Sequence, residues 1–136
     1  MQYWIIKSEP KKYSFAQMKA DKKTIWDGVR NYEARNNLKA MKKGDICFFY
    51  HSNDDKAIVG ITEVSKEFFP DPTIDDDTWV AVEVKYKKAA KHSLDLAAVK
   101  LHSGLQHLAL VSRQRLSVSP VTAPEAKIIL GLLGLD

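Results

Sequence analysis

Between Thr24 and Met41 the chain sets an indole and a glycine, Trp26-Asp27-Gly28, directly before Arg30, Asn31, Arg35 and Asn36. These are the groups that hold a planar ligand with a polar edge: a ring to stack on, amides for the edge of a nucleobase, and guanidinium for phosphate. A second reading stands beside the first. A tryptophan near a glycine also serves to plug a core beneath a surface helix, because a large ring gains most from being buried.

Other chemistries find less support. His51, His92, His102 and His107 show no metal-ligand spacing, and Asp71, Asp75, Asp76 and Asp77 lack the glycine and terminal glutamate of a calcium loop. Cys47 lies inside an apolar run, no serine is framed as a nucleophile elbow, and phosphate loops and dinucleotide fingerprints are absent. Lys7 and Ser8 are neighbours on a strand and point to opposite faces, which argues against a Ser-Lys dyad. No metal, cofactor or dedicated catalytic residue is expected, and nothing points to a nucleotide-driven enzyme. Acid-base work by Glu9, Asp27 or His51 stays open, because such groups meet only in space.

The elements that must position these residues can be read from periodicity and punctuation. Tyr3 to Ser8 is a strand closed by Glu9-Pro10, and Ser14-Phe-Ala-Gln17 has the spacing of a capping box that opens a helix to about Lys19. Asp21 to Gly28 reads as loop. A helix follows from about Asn31 to Met41, with Arg30, Ala34 and Leu38 on one stripe and Lys42-Lys43-Gly44 as its stop. Arg35 and Asn36 lie off that stripe and are free to face a ligand or water. Asp45 to His51 is apolar at nearly every position, the pattern of a strand covered on both faces, and Ala57 to Val64 returns beside it as a hairpin. Gly60 in that return strand marks either a bulge or a close approach to the backbone. Further along, Phe68 to Thr73 reads as connection, Trp79 to Lys87 as a strand, Ser93 to about Leu101 as a helix, and Leu108–Val111 and Leu116–Ser119 as short strands. Thr122-Ala-Pro-Glu125 caps a last helix that ends near Gly134. Most strands follow strands, which points to an α+β domain built on a strongly bent mixed sheet or small barrel, and against a doubly wound parallel sheet.

With 136 residues, 45% hydrophobic and 28% charged, the chain has the size and composition of one ordinary globular domain. A formal charge of +4 leans toward polyanionic partners, and no apolar run reaches the length of a membrane span. The single cysteine forms no internal disulfide and fits a reducing, cytoplasmic compartment; no signal peptide precedes the first strand.

Long ordered motifs carry a family resemblance across nearly the whole chain: Tyr3-Trp-Ile-Ile-Lys-Ser-Glu-Pro10, Trp26-Asp-Gly-Val-Arg-Asn-Tyr32, Ala34-Arg-Asn36, Phe48-Phe-Tyr-His-Ser52, Ile58-Val-Gly60, Phe69-Pro-Asp-Pro72 and Arg115-Leu-Ser-Val118. Together they resemble the EVE domain family of the PUA-like superfamily, which is similar to the YTH readers of methylated adenosine in RNA. The resemblance implies a single domain over residues 1–136, a PUA-like bent mixed β-barrel of about five to six strands with flanking helices. It also implies a reader of modified bases, methylated or hydroxymethylated cytosine in DNA first, with RNA or an enzyme acting on a modified nucleotide as alternatives. On that pattern Lys7, Ser8 and Glu9 stand at the pocket mouth, Trp26 walls the base pocket with Gly28 and Val29 beside it, and Arg30 and Asn31 meet the base edge or phosphate. Phe49, Tyr50, His51 and Ser52 supply another side. Arg35 and Asn36, together with Ser112, Arg113, Gln114 and Arg115, follow the nucleic-acid backbone, and Trp79 is shared between that pattern and plain sheet packing. Nuclear members of the family carry a basic extension before the first strand, absent here, which suits a bacterial cytoplasmic protein; protein partners are not indicated.

Overall fold

The computed structural model describes all of residues 1–136. Six strands, β1 (Tyr3–Ser8), β2 (Lys23–Trp26), β3 (Ile46–His51), β4 (Ala57–Pro70), β5 (Val80–Asp95) and β6 (Val118–Val121), form one sheet in the order β2-β5-β4-β3-β1-β6. Only β1 and β3 run parallel; the other ladders are antiparallel. Five helices flank it: α1 (Phe15–Asp21), α2 (Tyr32–Ala40), α3 (Leu96–Leu101), α4 (Ala109–Ser112) and α5 (Ala123–Leu133). The expected α+β class and mixed sheet are present. Closure into a barrel is not, because β2 and β6 remain unpaired edges of an open ladder.

The reason β3 is apolar throughout is that it lies inside the sheet with both faces covered. Cys47 and Phe49 point into one cluster with Trp4, Ile6, Met18, Trp26 and Leu38, while Ile46, Phe48 and Tyr50 point into the other with Ile5, Leu94, Val99 and Ile129. Alternation by two residues thus feeds two cores from one strand. Phe48 and Phe49 are both fully buried, and burial of such rings contributes up to about 3 kcal/mol each. The first core is closed by α1 and α2, the second by α3, α4 and α5. At the far end of β3, buried Asp45 accepts from Trp4 Nε1, Lys42 N and Gln2 N, fixing the turn that leads into the strand.

Local signals are realised where they are self-sufficient. Ser14 and Asn31 accept from Gln17 N and Ala34 N at the starts of α1 and α2, and Thr122 with Glu125 makes the full reciprocal box at α5. Gln17 instead reaches forward to Asp21, so α1 runs on past Lys19, and only half of the expected box forms there. Ala34 and Leu38 are buried together, as their common stripe requires.

Four expectations are corrected. Residues 23–26, read as loop, add β2 to the sheet through pairing with Lys85–Val82 of β5. Phe68 and Phe69, read as connection, belong to β4, whose ladder with β5 shifts register repeatedly and so loses the two-residue alternation that would reveal it. Residues 93–95, read as the start of a helix, are the end of β5, held extended by pairing of Asp95 with Ala57 and Leu94 with Ile58. Leu108–Val111, read as a strand, is mostly the single turn α4, since a short apolar run cannot distinguish the two by pattern.

Gly60 answers both readings of its position. The β3–β4 and β4–β5 registers shift beside it, and a Cβ placed there would overlap the Phe15 ring and lie 2.8 Å from the Lys88 carbonyl oxygen. Replacement by alanine overpacks the first core against a backbone atom. Gly60→Ala is expected to lose about 1–3 kcal/mol of stability, read as a lower urea midpoint at unchanged slope; an unaltered midpoint would show that Phe15 yields freely.

Candidate functional site

A cavity of about 420 Å³ opens where the end of β1 meets β2 and the loop that follows it. Its walls come from Lys7, Ser8 and Glu9, from Lys12 and Tyr13, from Thr24 through Arg30, and from Ser117. The volume lies in the range of small-molecule pockets, about 300–1,000 Å³.

Trp26 ends β2 opposite Val82 and is only 8% exposed. Phe49 and Tyr13 pack edge-on against it, with ring centroids at 5.5 and 6.3 Å. The indole therefore belongs to the first core and to the cavity wall at once. Its Nε1–H finds no partner within the chain, yet it is not occluded, since the one buried side-chain polar atom without a partner is Ser119 Oγ. One donor of the ring is thus left unpaired.

The loop after Trp26 is held from a distance. Gly28 adopts a left-handed φ of 76°, which a side chain would strain, and its N–H donates to Asp71 Oδ2 at 2.8 Å. Arg30 Nη1 donates to the same oxygen at 2.9 Å, and Thr73 donates to Oδ1 through both its N–H and its hydroxyl. Burial of the Asp71 side chain opposes its charge, but hydrogen bonds from Thr73, Arg30 and Gly28 outweigh that and hold the carboxyl well below the usual carboxylate range. Arg30 also lies over Trp79 at 5.7 Å, Trp79 packs on exposed Tyr32 at 5.1 Å, and Arg35 lies over Tyr32 at 5.1 Å, a surface ladder with two rings held between two cations. Asp27 faces the cavity from the same loop. Partial burial and the Asp71 charge raise its pKa, and Arg30 works against that rise.

On the opposite wall Ser8 Oγ donates to the Tyr13 carbonyl at 2.6 Å, leaving its lone pairs to accept. Lys7 Nζ donates to the Gln114 carbonyl at 2.8 Å and stands over the Tyr50 ring at 5.9 Å; partial burial lowers its pKa. Glu9 is paired with Lys12 at 3.4 Å. No cluster of three or more His, Cys, Asp or Glu able to hold a metal ion is assembled anywhere.

Lys7, Ser8, Glu9, Trp26, Gly28, Val29 and Arg30 thus surround one hollow, while other residues named from the sequence do not. Tyr50 and Ser52 line a separate cavity, because Tyr50 points into the second core, away from Trp26. His51 is on the Trp26 side of the sheet but is covered by α1. Its Nε2 accepts from Phe15 N, so the ring proton sits on Nδ1 and is donated to Asp55 at 2.9 Å. Asn31 spends its side-chain oxygen on capping α2 and lines a shallow groove with Arg113, Gln114 and Arg115. Arg35 is engaged with Asn36 Oδ1 and the Thr78 carbonyl, tying α2 to the turn after Asp71. Asp71, Thr73 and Tyr13 escaped the sequence reading as site residues; the one local signal was an acid set between two prolines, Pro70 and Pro72.

Residues 2–132 match the sequence profile described as EVE domain. The chain belongs to the EVE domain family. Thymocyte nuclear protein 1 of Homo sapiens is 36% identical to this EVE domain over an alignment that covers 96% of the chain and 73% of the human protein. Protein Atu2648 from Agrobacterium tumefaciens superposes with a TM-score of 0.96 at 42% identity, covering 99% of this chain and 94% of that one. The human THYN1 protein, solved in complex with 5-methylcytosine-containing DNA, superposes with a TM-score of 0.91 at 34% identity, covering 100% and 99%. A YTH domain of Zygosaccharomyces rouxii MRB1, solved with N6-methyladenosine RNA, shares the fold at a TM-score of 0.59 and 20% identity, covering 97% and 86%. No helix of this EVE domain is long and apolar enough to cross a membrane.

The Asp71 cluster makes a stability prediction with a definite sign. A carboxyl depressed in the folded state contributes stability that is complete above its unfolded pKa of about 3.9 and is lost as pH falls toward the folded value. Asp71→Asn is expected to cost on the order of 3 kcal/mol at pH 7, as removal of one partner from a buried charged cluster does. The gap to the parent chain should narrow below about pH 4. Urea midpoints of both chains at pH 7 and pH 3 test this; a gap that is independent of pH would refute it.

Proposed function

We propose that this EVE domain is a non-enzymatic nucleic-acid-binding module that takes a modified base, methylated cytosine in DNA first, into the cavity walled by Trp26. The observation that carries this reading is the aromatic-walled hollow with an unpaired indole donor and with Lys12 and Arg30 in its wall, while the Lys7 ammonium stands at its far side toward Tyr50. The human THYN1 protein solved with 5-methylcytosine-containing DNA, similar over the full length, supports the choice of ligand. Ser8 Oγ addresses the edge of a base stacked on Trp26, and the Asp27 carboxyl offers an acceptor to an exocyclic amine. Phosphates on either side follow Arg30 and the groove of Arg113 and Arg115. One domain over residues 1–136 and a cytoplasmic setting fit this role.

Magnitudes decide what the pocket must do. Stacking on an aromatic gives about 1–3 kcal/mol, and extrusion from a duplex costs a few kcal/mol. The indole alone therefore breaks even, and hydrogen bonds within the cavity supply the net affinity. A methyl group adds about 0.8 kcal/mol when buried, roughly fourfold in affinity. Trp26→Phe keeps a ring in the core but removes the Nε1–H and part of the stacking surface. In a chain that still melts cooperatively, it is expected to weaken binding of a methylcytosine oligonucleotide about tenfold. Unchanged affinity would remove the indole from the site, and a mass change in the oligonucleotide would replace binding by turnover.

The groove carries its own control. Arg113 is held bidentately by Glu33, whereas Arg115 makes no ion pair. Glu33→Gln frees the Arg113 guanidinium and is expected to tighten binding to plain and methylated strands alike, with a steeper dependence on salt. Arg115→Ala leaves one phosphate without its cation and is expected to flatten the logarithmic salt slope by about 0.7–0.9. Isothermal titrations at several salt concentrations measure both, and slopes identical to the parent would place the backbone elsewhere.

A further inference from the structure

On the other side of Lys7 lies a second cavity of about 300 Å³, and we propose that it binds a phosphate group. Three lysines reach it from three separate elements: Lys7 from β1, Lys56 from the turn before β4, and Lys100 from α3. None of them forms a salt bridge, although four other lysines of the chain do. No carboxylate lines the cavity. Of the two acids in the adjoining turn, Asp55 is already held by His51 Nδ1, and Asp54 does not reach the wall. Three cations thus line one concavity without an acid among them, and an anion entering from solution meets attraction there with no fixed negative charge to oppose it.

Neutral donors complete the site. Tyr50 is 4% exposed, yet its hydroxyl finds no partner within the chain and is not occluded, so the cavity is where it opens. The side chains of Ser52, Asn53 and Gln114 add further unpaired polar groups to the wall. Lys7 offers three N–H donors, of which the Gln114 carbonyl takes one. Asn53 and Lys56 both adopt left-handed backbone, at φ of 69° and 50°, a conformation that side chains disfavour and that shapes the rim of this cavity. Several cationic and hydroxyl donors around one concavity suit a tetrahedral oxyanion with many acceptor atoms better than a planar carboxylate.

Position indicates the source. Lys7 lines both this cavity and the Trp26 cavity, and Gln114 lines both this cavity and the groove of Arg113 and Arg115. A strand whose base enters beside Trp26 thus brings an internucleotide phosphate to Lys7. That preference rests on the nucleic-acid reading above. The phosphate chemistry itself does not, and a free phosphate is the other source.

The double variant Lys56→Ala/Lys100→Ala changes two exposed side chains outside the Trp26 cavity, and a melting curve verifies its fold. Four probes are titrated into the full chain and the variant: a single-stranded oligonucleotide with one methylcytosine, the same strand unmethylated, the methylated nucleoside without phosphate, and inorganic phosphate. The variant is expected to bind both strands about fivefold more weakly at low salt, with a logarithmic salt slope reduced by about 0.7 or more, while nucleoside affinity and the preference for methylation stay unchanged. Inorganic phosphate that raises the melting temperature of the parent chain, but not of the variant, supports a free-phosphate source. A change in slope without that response supports the internucleotide source. Unchanged slopes together with no phosphate-dependent shift overturn the site. Equal binding of methylated and plain strands by the parent chain defeats the base-reading proposal alone, because the plain strand still reports on the lysines.

Discussion

The Asp71 carboxylate holds the site in place. It is fully removed from water, sits in the turn after β4, and gathers Gly28, Arg30 and Thr73 around two oxygens. Charge-assisted bonds of this kind are short and directional, and in a dry setting each remaining donor matters more because the others exclude water. The loop from Trp26 to Arg30 would otherwise be an exposed segment at the end of a four-residue edge strand, with little of its own to define its path. Through Asp71 it inherits the rigidity of the long β4–β5 hairpin, and through Arg30, Trp79, Tyr32 and Arg35 that rigidity passes to α2. Precision in the cavity is a property of the hairpin turn as much as of the residues that line it.

Much of the framework is legible in the chain because its causes are local. The caps at Ser14, Asn31 and Thr122 need only neighbours within three residues, and the unbroken apolar run of β3 reports directly that two faces are covered. What was not legible depends on partners distant in sequence. β2 is a strand because β5 offers a free edge, not because Lys23-Thr-Ile-Trp26 insists on it. Residues 93–95 remain extended because β4 pairs with them, against a sequence that favours helix initiation at this point. Repeated register shifts erased the alternation that would have disclosed the true length of the hairpin.

The same division runs through the site. The contiguous Trp26–Arg30 segment stands out as a candidate cavity wall, since a ring, a glycine and a guanidinium fall within five residues. Asp71 cannot, because it lies 43 residues from Gly28 and looks like one acid among several. Tyr13, edge-on to the indole, is likewise placed by the path of the chain after β1. Tyr50, His51 and Ser52 show the reverse: consecutive residues that read as one wall are dealt by strand alternation to two faces of the sheet, and only the fold reveals that helix α1 has claimed the histidine.

Trp26 itself unites the two readings its sequence allowed. It is core by burial and wall by position, and the two perpendicular rings against it fix its plane without spending its N–H. A ring so deeply seated gives a small stacking area but a fixed one, and fixed geometry lets hydrogen-bond mismatches count at nearly full cost. Buried polar groups left unpaired penalise a wrong ligand far more than a missing methyl does. On the function proposed above, recognition in such a hollow is set first by the polar edge of the base and its registry with Ser8 and Asp27, and a methyl is sensed second, through the little space that a deeply packed indole leaves.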